Sequence, residues 1–189
     1  MRSMSHAVVL LGHGAPAKDC PPYLVFKLRQ LKSRRASLGG EPGDDERELE
    51  EQVRSFPRTS DNDPYKHGLE AIAQRLAALL GRDRVTVAFG EFCNPTLEQA
   101  VAELVEAGAT RITIAPSMMT PGGLHSEEEF PKTVEELRGR FAGVELVYAW
   151  PFELDAVARL IAAEIRARSG RAAEGDRDVD ESHGGSDCG

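Results

Sequence analysis

Two histidines and a glutamate sit at corresponding places in this chain, each shortly after an apolar, β-prone run. His13 follows residues 7–11, Glu91 follows 85–89 and His125 comes after 111–115. Two imidazoles and a carboxylate suit borderline divalent ions such as Fe2+, Co2+ and Ni2+. They equally suit proton abstraction near neutral pH. Each has an ordinary alternative: a histidine beside glycines is commonly structural, and a loop glutamate commonly pairs with a basic neighbour. Three such residues at corresponding strand ends argue for a site.

Positioning them falls to the Gly-rich turns. The stretch 120–131 reads T-P-G-G-L-H-S-E-E-E-F-P and brings His125 beside three carboxylates. A strand ending in a glycine turn before a helix is where open α/β sheets bind ligands. Ser126 with Glu129 three residues on has the form of a capping box, and Glu127, Glu128 and Glu129 suit the positive end of a helix dipole. Pro131 then requires the helix to start near Phe130 or to have a kinked first turn.

Runs 7–11, 85–89, 111–115 and 144–149 read as strands. Leucine-rich stripes at helical spacing separate them, started by Asp63-Pro64 and Asn94-Pro95 and stopped by Gly81 and Gly108. That alternation predicts an α/β domain: a doubly wound, four-stranded parallel sheet with helices on both faces and the first strand between the second and third. Residues 1–168 form the expected single domain. Residues 38–63 interrupt it as an acidic, mobile insertion, with a helical piece at 44–54 and no assignable task. Residues 169–189 read as a disordered acidic tail.

Of the net charge of −8, residues 41–51 carry −6 and residues 170–189 carry −4, which leaves the remainder at +2. That distribution argues against a nucleic-acid partner yet permits a local site for an anionic small molecule. The basic helix at 23–35, with Lys27, Arg29 and Lys32, is either a solvated face or part of such a site. Three scattered cysteines exclude a disulfide framework and suit a reducing cytoplasm. The 7–11 run is too short for a signal peptide or a membrane span.

G-H-G at 12–14 lacks the third glycine of a dinucleotide fingerprint, and neither a P-loop nor a G-x-S-x-G elbow occurs. Cys93 reads as packing, and His6 and His67 as ordinary surface or packing residues.

L-L-G-H-G-A-P at 10–16, A-F-G-E-F-C-N-P-T-L-E-Q-A at 88–100 and A-G-A-T-R-I-T-I-A-P-S-M-M-T-P-G-G-L-H at 107–125 occur in that order. Together they resemble the sirohydrochlorin chelatases of the CbiX and SirB type, in the wider class of ATP-independent chelatases that includes ferrochelatase. The resemblance spans about residues 6–168, with 38–63 outside it. It implies a chelatase-like, flavodoxin-like three-layer sandwich in a short, single-copy form that pairs as a homodimer.

The resemblance makes His13 and His125 metal ligands and, together with Glu91, the catalytic group. It implies a macrocycle bound over this edge, against Gly14, Met118, Met119, Gly122 and Gly123. For the two methionines, core packing is the competing reading. The implied reaction is insertion of Co2+, Fe2+ or Ni2+ into sirohydrochlorin or a related tetrapyrrole, in sirohaem or cobalamin biosynthesis. No cofactor is expected beyond the metal that is itself the substrate.

Three features depart from the family pattern: Ala15-Pro16 in place of a G-H-G-S-R opening, methionines in the third loop, and the acidic insertion. A competing reading is a non-catalytic metal or tetrapyrrole carrier, with His183 and Cys188 capturing metal. A flavodoxin-like binding module is a third.

Overall fold

The computed structural model describes residues 5–81 and 84–175. Its centre is β1, His6–Gly12, in which every residue from Ala7 onward is buried. A central parallel strand is covered on both faces, which is why it reads as one apolar run. It pairs with β2, Val85–Phe89, and β3, Arg111–Pro116, while β4, Glu145–Tyr148, flanks β3. All pairs are parallel, in the order β2-β1-β3-β4. Gly12 is in register with Phe89, and Leu11 with Pro116. The three strands therefore end level, and the loops after them open at one edge, as the strand pattern predicts.

On one face Ala7, Val9, Leu11, Ile112 and Ile114 pack against α4, Leu97–Glu106, and α5, Phe130–Arg140. On the other, Leu10, Val87 and Phe89 meet Leu69 and Ala73 of α3, Pro64–Leu80. Helices thus cover both faces of the four-stranded sheet. Asp63 caps α3 by accepting the Lys66 N–H at 2.9 Å, and Gly81 ends it in the left-handed region. The α4 cap falls two residues beyond the expected Asn94. Thr96 and Gln99 form a reciprocal capping box there, with side chains and backbone exchanging hydrogen bonds.

The expectation of a mobile insertion needs correction. After α1, Pro22–Leu38, residues Asp44–Arg54 form α2, an ordered helix packed against the body. Leu49 and Val53, one turn apart, join Ala17, Cys20, Leu28 and Phe92 in an apolar cluster. Arg35 of α1 meets the buried Glu46 carboxylate at 3.0 and 3.2 Å. The helical piece expected at 44–54 is present, and acidic composition concealed only its apolar stripe.

Residues up to Trp150 form one compact unit, and residues from Pro151 form a second. The described part of the second contains α6, Leu154–Gly175. Residues 169–175, expected in a disordered tail, continue that helix. His183, Cys188 and the remainder of the tail lie outside the described residues. No described helix is long and apolar enough to cross a membrane.

Candidate functional site

The loops after β1, β2 and β3 bring His13, Glu91 and His125 together. The imidazole of His13 stands edge-on to that of His125, with ring centroids 4.6 Å apart. Its Nε2 lies 3.6 Å from Glu91 Oε2. All three side chains are about one-third exposed: 36% for His13, 27% for Glu91 and 29% for His125. They are held by protein yet reachable from solvent. Among the described residues, no group of three or more His, Cys, Asp and Glu side chains is placed to hold a metal ion by itself.

Each imidazole is oriented by an acceptor on its Nδ1. His13 Nδ1 is 2.8 Å from the Gly14 carbonyl, and His125 Nδ1 is 2.5 Å from Glu129 Oε2. A carbonyl accepts only from N–H, and a carboxylate strongly favours one, so the proton resides on Nδ1 in both rings. A neutral ring of that tautomer carries its lone pair on Nε2, as a metal-ligating histidine requires, and at His13 that atom faces Glu91 Oε2. Phe130 stacks on the His125 ring with centroids 5.8 Å apart and further limits its plane.

The backbone beneath is rigid for identifiable reasons. Gly90 N–H donates to Gly12 O at 2.9 Å and Glu91 N–H to His13 O at 2.7 Å, extending the β1–β2 ladder into the loops. Gly14 has φ +93°, and a Cβ there would stand 1.9 Å from the Glu91 carbonyl oxygen, so only glycine fits. Of the expected macrocycle-contacting residues, Gly14 therefore serves backbone packing. Met118 packs on the main core cluster, while Met119 is half-buried and Gly122 and Gly123 are exposed beside the exposed Leu124.

His125 begins a π-helical turn, His125–Glu129, that runs directly into α5. Pro131 has no N–H to bond the Glu127 carbonyl, and the Phe130 N–H instead reaches back to His125 O. The expected Ser126–Glu129 capping box does not form. Leu124 is already helical, so Ser126 lies inside the turn, buried, with its Oγ 3.5 Å from Met118 O. Glu127 instead accepts the Gly122 N–H at 2.7 Å and closes the loop. Tyr148 of β4 donates to Ser126 O at 2.8 Å, and burial pushes its phenol up to about 12.

Sequence reasoning missed Glu129 as the partner of His125. The signal was available: His and Glu at i and i+4 share one side of a helical turn. It also missed the contribution of 38–63. Arg54 Nη2 and Nη1 donate to Gly90 O at 2.6 Å and Cys93 O at 2.8 Å, on either side of Glu91. Arg58 donates to Ala15 O at 2.7 Å, to the Asp63 carboxylate at 2.6 Å, and to Phe92 O. Phe92 has φ +58°, a strained value for a non-glycine residue that these bonds help to hold.

The basic residues of α1 divide. Lys32 Nζ contacts Glu91 Oε1 at 3.4 Å and Glu50 Oε1 at 2.9 Å. Arg29 lies 5.4 Å from the Phe92 ring centroid, and that ring is 6.3 Å from His13. Lys27 lines a groove against Asp45 and Glu48 of α2. Burial opposes the charge on Glu50, but Lys32 and Arg54 prevail and hold its carboxyl below the ordinary value. Cys93 is buried, and burial pushes its thiol up, in keeping with a packing role. A cavity of about 710 Å³ among Val105, Gly108, Arg140 and Phe141 opens at the other ends of the strands and contains none of these groups.

Residues 58–168 match the model of the CbiX family. A sirohydrochlorin ferrochelatase of Priestia megaterium is 35% identical over 69 residues, which cover 36% of this chain and 26% of that one. A sirohydrochlorin cobaltochelatase of Methanococcus maripaludis is 31% identical over 67 residues, 35% of this chain and 46% of the relative. The matched segments span between about a quarter and a half of those relatives. The sirohydrochlorin chelatase SirB of Bacillus subtilis subspecies spizizenii, solved with cobalt, superposes with a TM-score of 0.47 at 18% identity, over 78% of this chain and 44% of SirB.

Proposed function

This chain belongs to the CbiX family, its match covering residues 58–168, and from that premise we propose that it inserts a divalent metal into sirohydrochlorin or a related tetrapyrrole without ATP. The observation that carries this reading is the facing pair His13 and His125, each with Nδ1 engaged so that a neutral ring presents Nε2 as its lone-pair atom. The names of the relatives, sirohydrochlorin ferrochelatase and cobaltochelatase, support the substrate class.

Insertion requires a metal to be held and then released, and two pyrrole N–H protons to leave. Two neutral imidazoles suit Fe2+, Co2+ or Ni2+ as substrate and leave coordination positions for the macrocycle nitrogens. Glu91, 3.6 Å from His13 Nε2, is the carboxylate that receives protons or completes the coordination. The exposed loop at Gly122, Gly123 and Leu124, with the half-buried Met119, is where the macrocycle would rest in this reading. No covalent intermediate and no further cofactor enter this scheme.

The setting we propose is cytoplasmic, consistent with free, buried Cys20 and Cys93. Pairing as a homodimer accords with Ile72 and Leu79 on α3, which are 55% and 85% exposed. Sedimentation of Leu79→Glu against the native chain tests that pairing.

Anaerobic absorbance spectroscopy tests the reaction. Sirohydrochlorin and each metal in turn should give the metallated spectrum faster with protein than without, over many turnovers per chain. His13→Ala and His125→Ala should each abolish the acceleration. A rate equal to the protein-free control with every metal, or full activity in both variants, defeats the proposal. A burst limited to one equivalent identifies a carrier instead.

A further inference from the structure

Lys32 carries the cation nearest Glu91, and its surroundings are unusual for a surface lysine. Its side chain is only 21% exposed, with Glu50 at 25% and Glu91 at 27%, so the three are mostly shielded from water. The ammonium spans two carboxylates, Glu50 Oε1 at 2.9 Å and Glu91 Oε1 at 3.4 Å. With one Glu91 oxygen engaged in this way, the other is left directed at His13.

Glu50 is in turn fixed by Arg54, whose Nε and Nη2 both lie 3.0 Å from the same Oε1. Arg54 also holds the Gly90 and Cys93 carbonyls on either side of Glu91. Helix α2 therefore acts on Glu91 in two ways, on its side chain by way of Glu50 and Lys32 and on the loop backbone flanking it by way of Arg54. The charges are matched as well. An unpaired ammonium beside a divalent ion would repel it, and Glu50 offsets that repulsion in a partly buried setting.

We propose that Lys32 is a positioning residue for Glu91, and that Glu50 of the inserted helix α2 holds it there. The inference rests on the metal-insertion reading, with Lys32 acting through Glu91 and touching neither metal nor macrocycle. A substrate-binding lysine would behave differently, since its loss would raise KM whatever stood at residue 91.

The test is a double-mutant cycle of Lys32→Met and Glu91→Gln on the full chain, with Lys32→Arg and Glu50→Gln alongside. Lys32→Met should lower kcat for insertion about tenfold with KM for the tetrapyrrole within about twofold, and Lys32→Arg should restore most of the loss. In the Glu91→Gln background the same change should cost less than about twofold, because Glu91 is what Lys32 acts on. Glu50→Gln should reproduce part of the Lys32→Met defect when assayed well below its own melting temperature, with an unchanged circular dichroism spectrum. An equal loss in both backgrounds, a defect confined to KM, or no defect at all overturns the proposal.

Co2+ affinity of the four members of the cycle, the native chain, the two single variants and the double variant, separates this inference from its premise. If the native chain fails to insert metal, the metal-insertion reading falls and affinity alone decides the role of Lys32. Weaker Co2+ binding in Lys32→Met that disappears in the Glu91→Gln background sustains positioning. Unchanged or tighter binding in Lys32→Met, or equal weakening in both backgrounds, overturns it.

Discussion

His125 Nδ1 stands 2.5 Å from Glu129 Oε2, four residues along a turn wound as a π-helix. The pair sets the tautomer and the direction of the imidazole together. Loss of such an outer partner typically costs about 10–100-fold in metal affinity or activity. Glu129→Ala should therefore weaken Co2+ binding by about that factor while the fold, followed by circular dichroism, is unchanged. Affinity within about twofold of the native chain would remove Glu129 from the site.

Gly14 is a position where one methyl group should be costly. Its φ of +93° and the 1.9 Å approach of a Cβ to Glu91 O mean that alanine must push the two loops apart. We expect Gly14→Ala to lower stability by about 2–4 kcal/mol, in the range of overpacking and backbone strain combined. Urea unfolding measures it, and Co2+ affinity should fall in the same variant because His13 and Glu91 move with those loops.

The packing of α2 gives a prediction outside the site. Leu49 is 6% exposed in the cluster with Leu28, Val53 and Phe92. Leu49→Ala should cost about 2–5 kcal/mol, the range for truncating a buried leucine. An exposed, loosely attached insertion would instead lose less than about 0.5 kcal/mol.

Glu50 supplies the pH dependence. Its carboxyl is held below the ordinary value in the folded chain, by Lys32 and Arg54 against the opposing effect of burial. A depressed folded pKa contributes stability that is present above the unfolded value, 4.5, and is lost as pH falls through the folded one. Urea unfolding from pH 6 down to pH 3 should show a loss in the native chain that is smaller in Glu50→Gln. Parallel curves for the two proteins would mean that Glu50 contributes nothing to acid sensitivity.

Local pattern was enough for much of this molecule. A strand buried on both faces must be continuously apolar, so β1 is visible as a run at 7–11. Helices packed on a sheet must repeat apolar residues every three or four positions, so α3 and α4 are visible as stripes. Parallel strands joined by helices have few handed arrangements, which put β1 between β2 and β3. From that order alone His13, Glu91 and His125 converge on one edge.

Interactions between segments distant in sequence carried no such signature. Acid-rich composition made 38–63 read as solvated, because α2 buries only two apolar residues, Leu49 and Val53, and its Arg54 acts on carbonyls 36 and 39 residues away. Glu129 matched a capping pattern, yet the turn winds as a π-helix and sets its carboxylate against His125. Lys32 reads as one of several cations on a basic helix. Only the packing of α1 against α2 places it between Glu50 and Glu91. Periodicity records which face of an element is buried; which polar groups meet across elements is decided when the chain closes on itself.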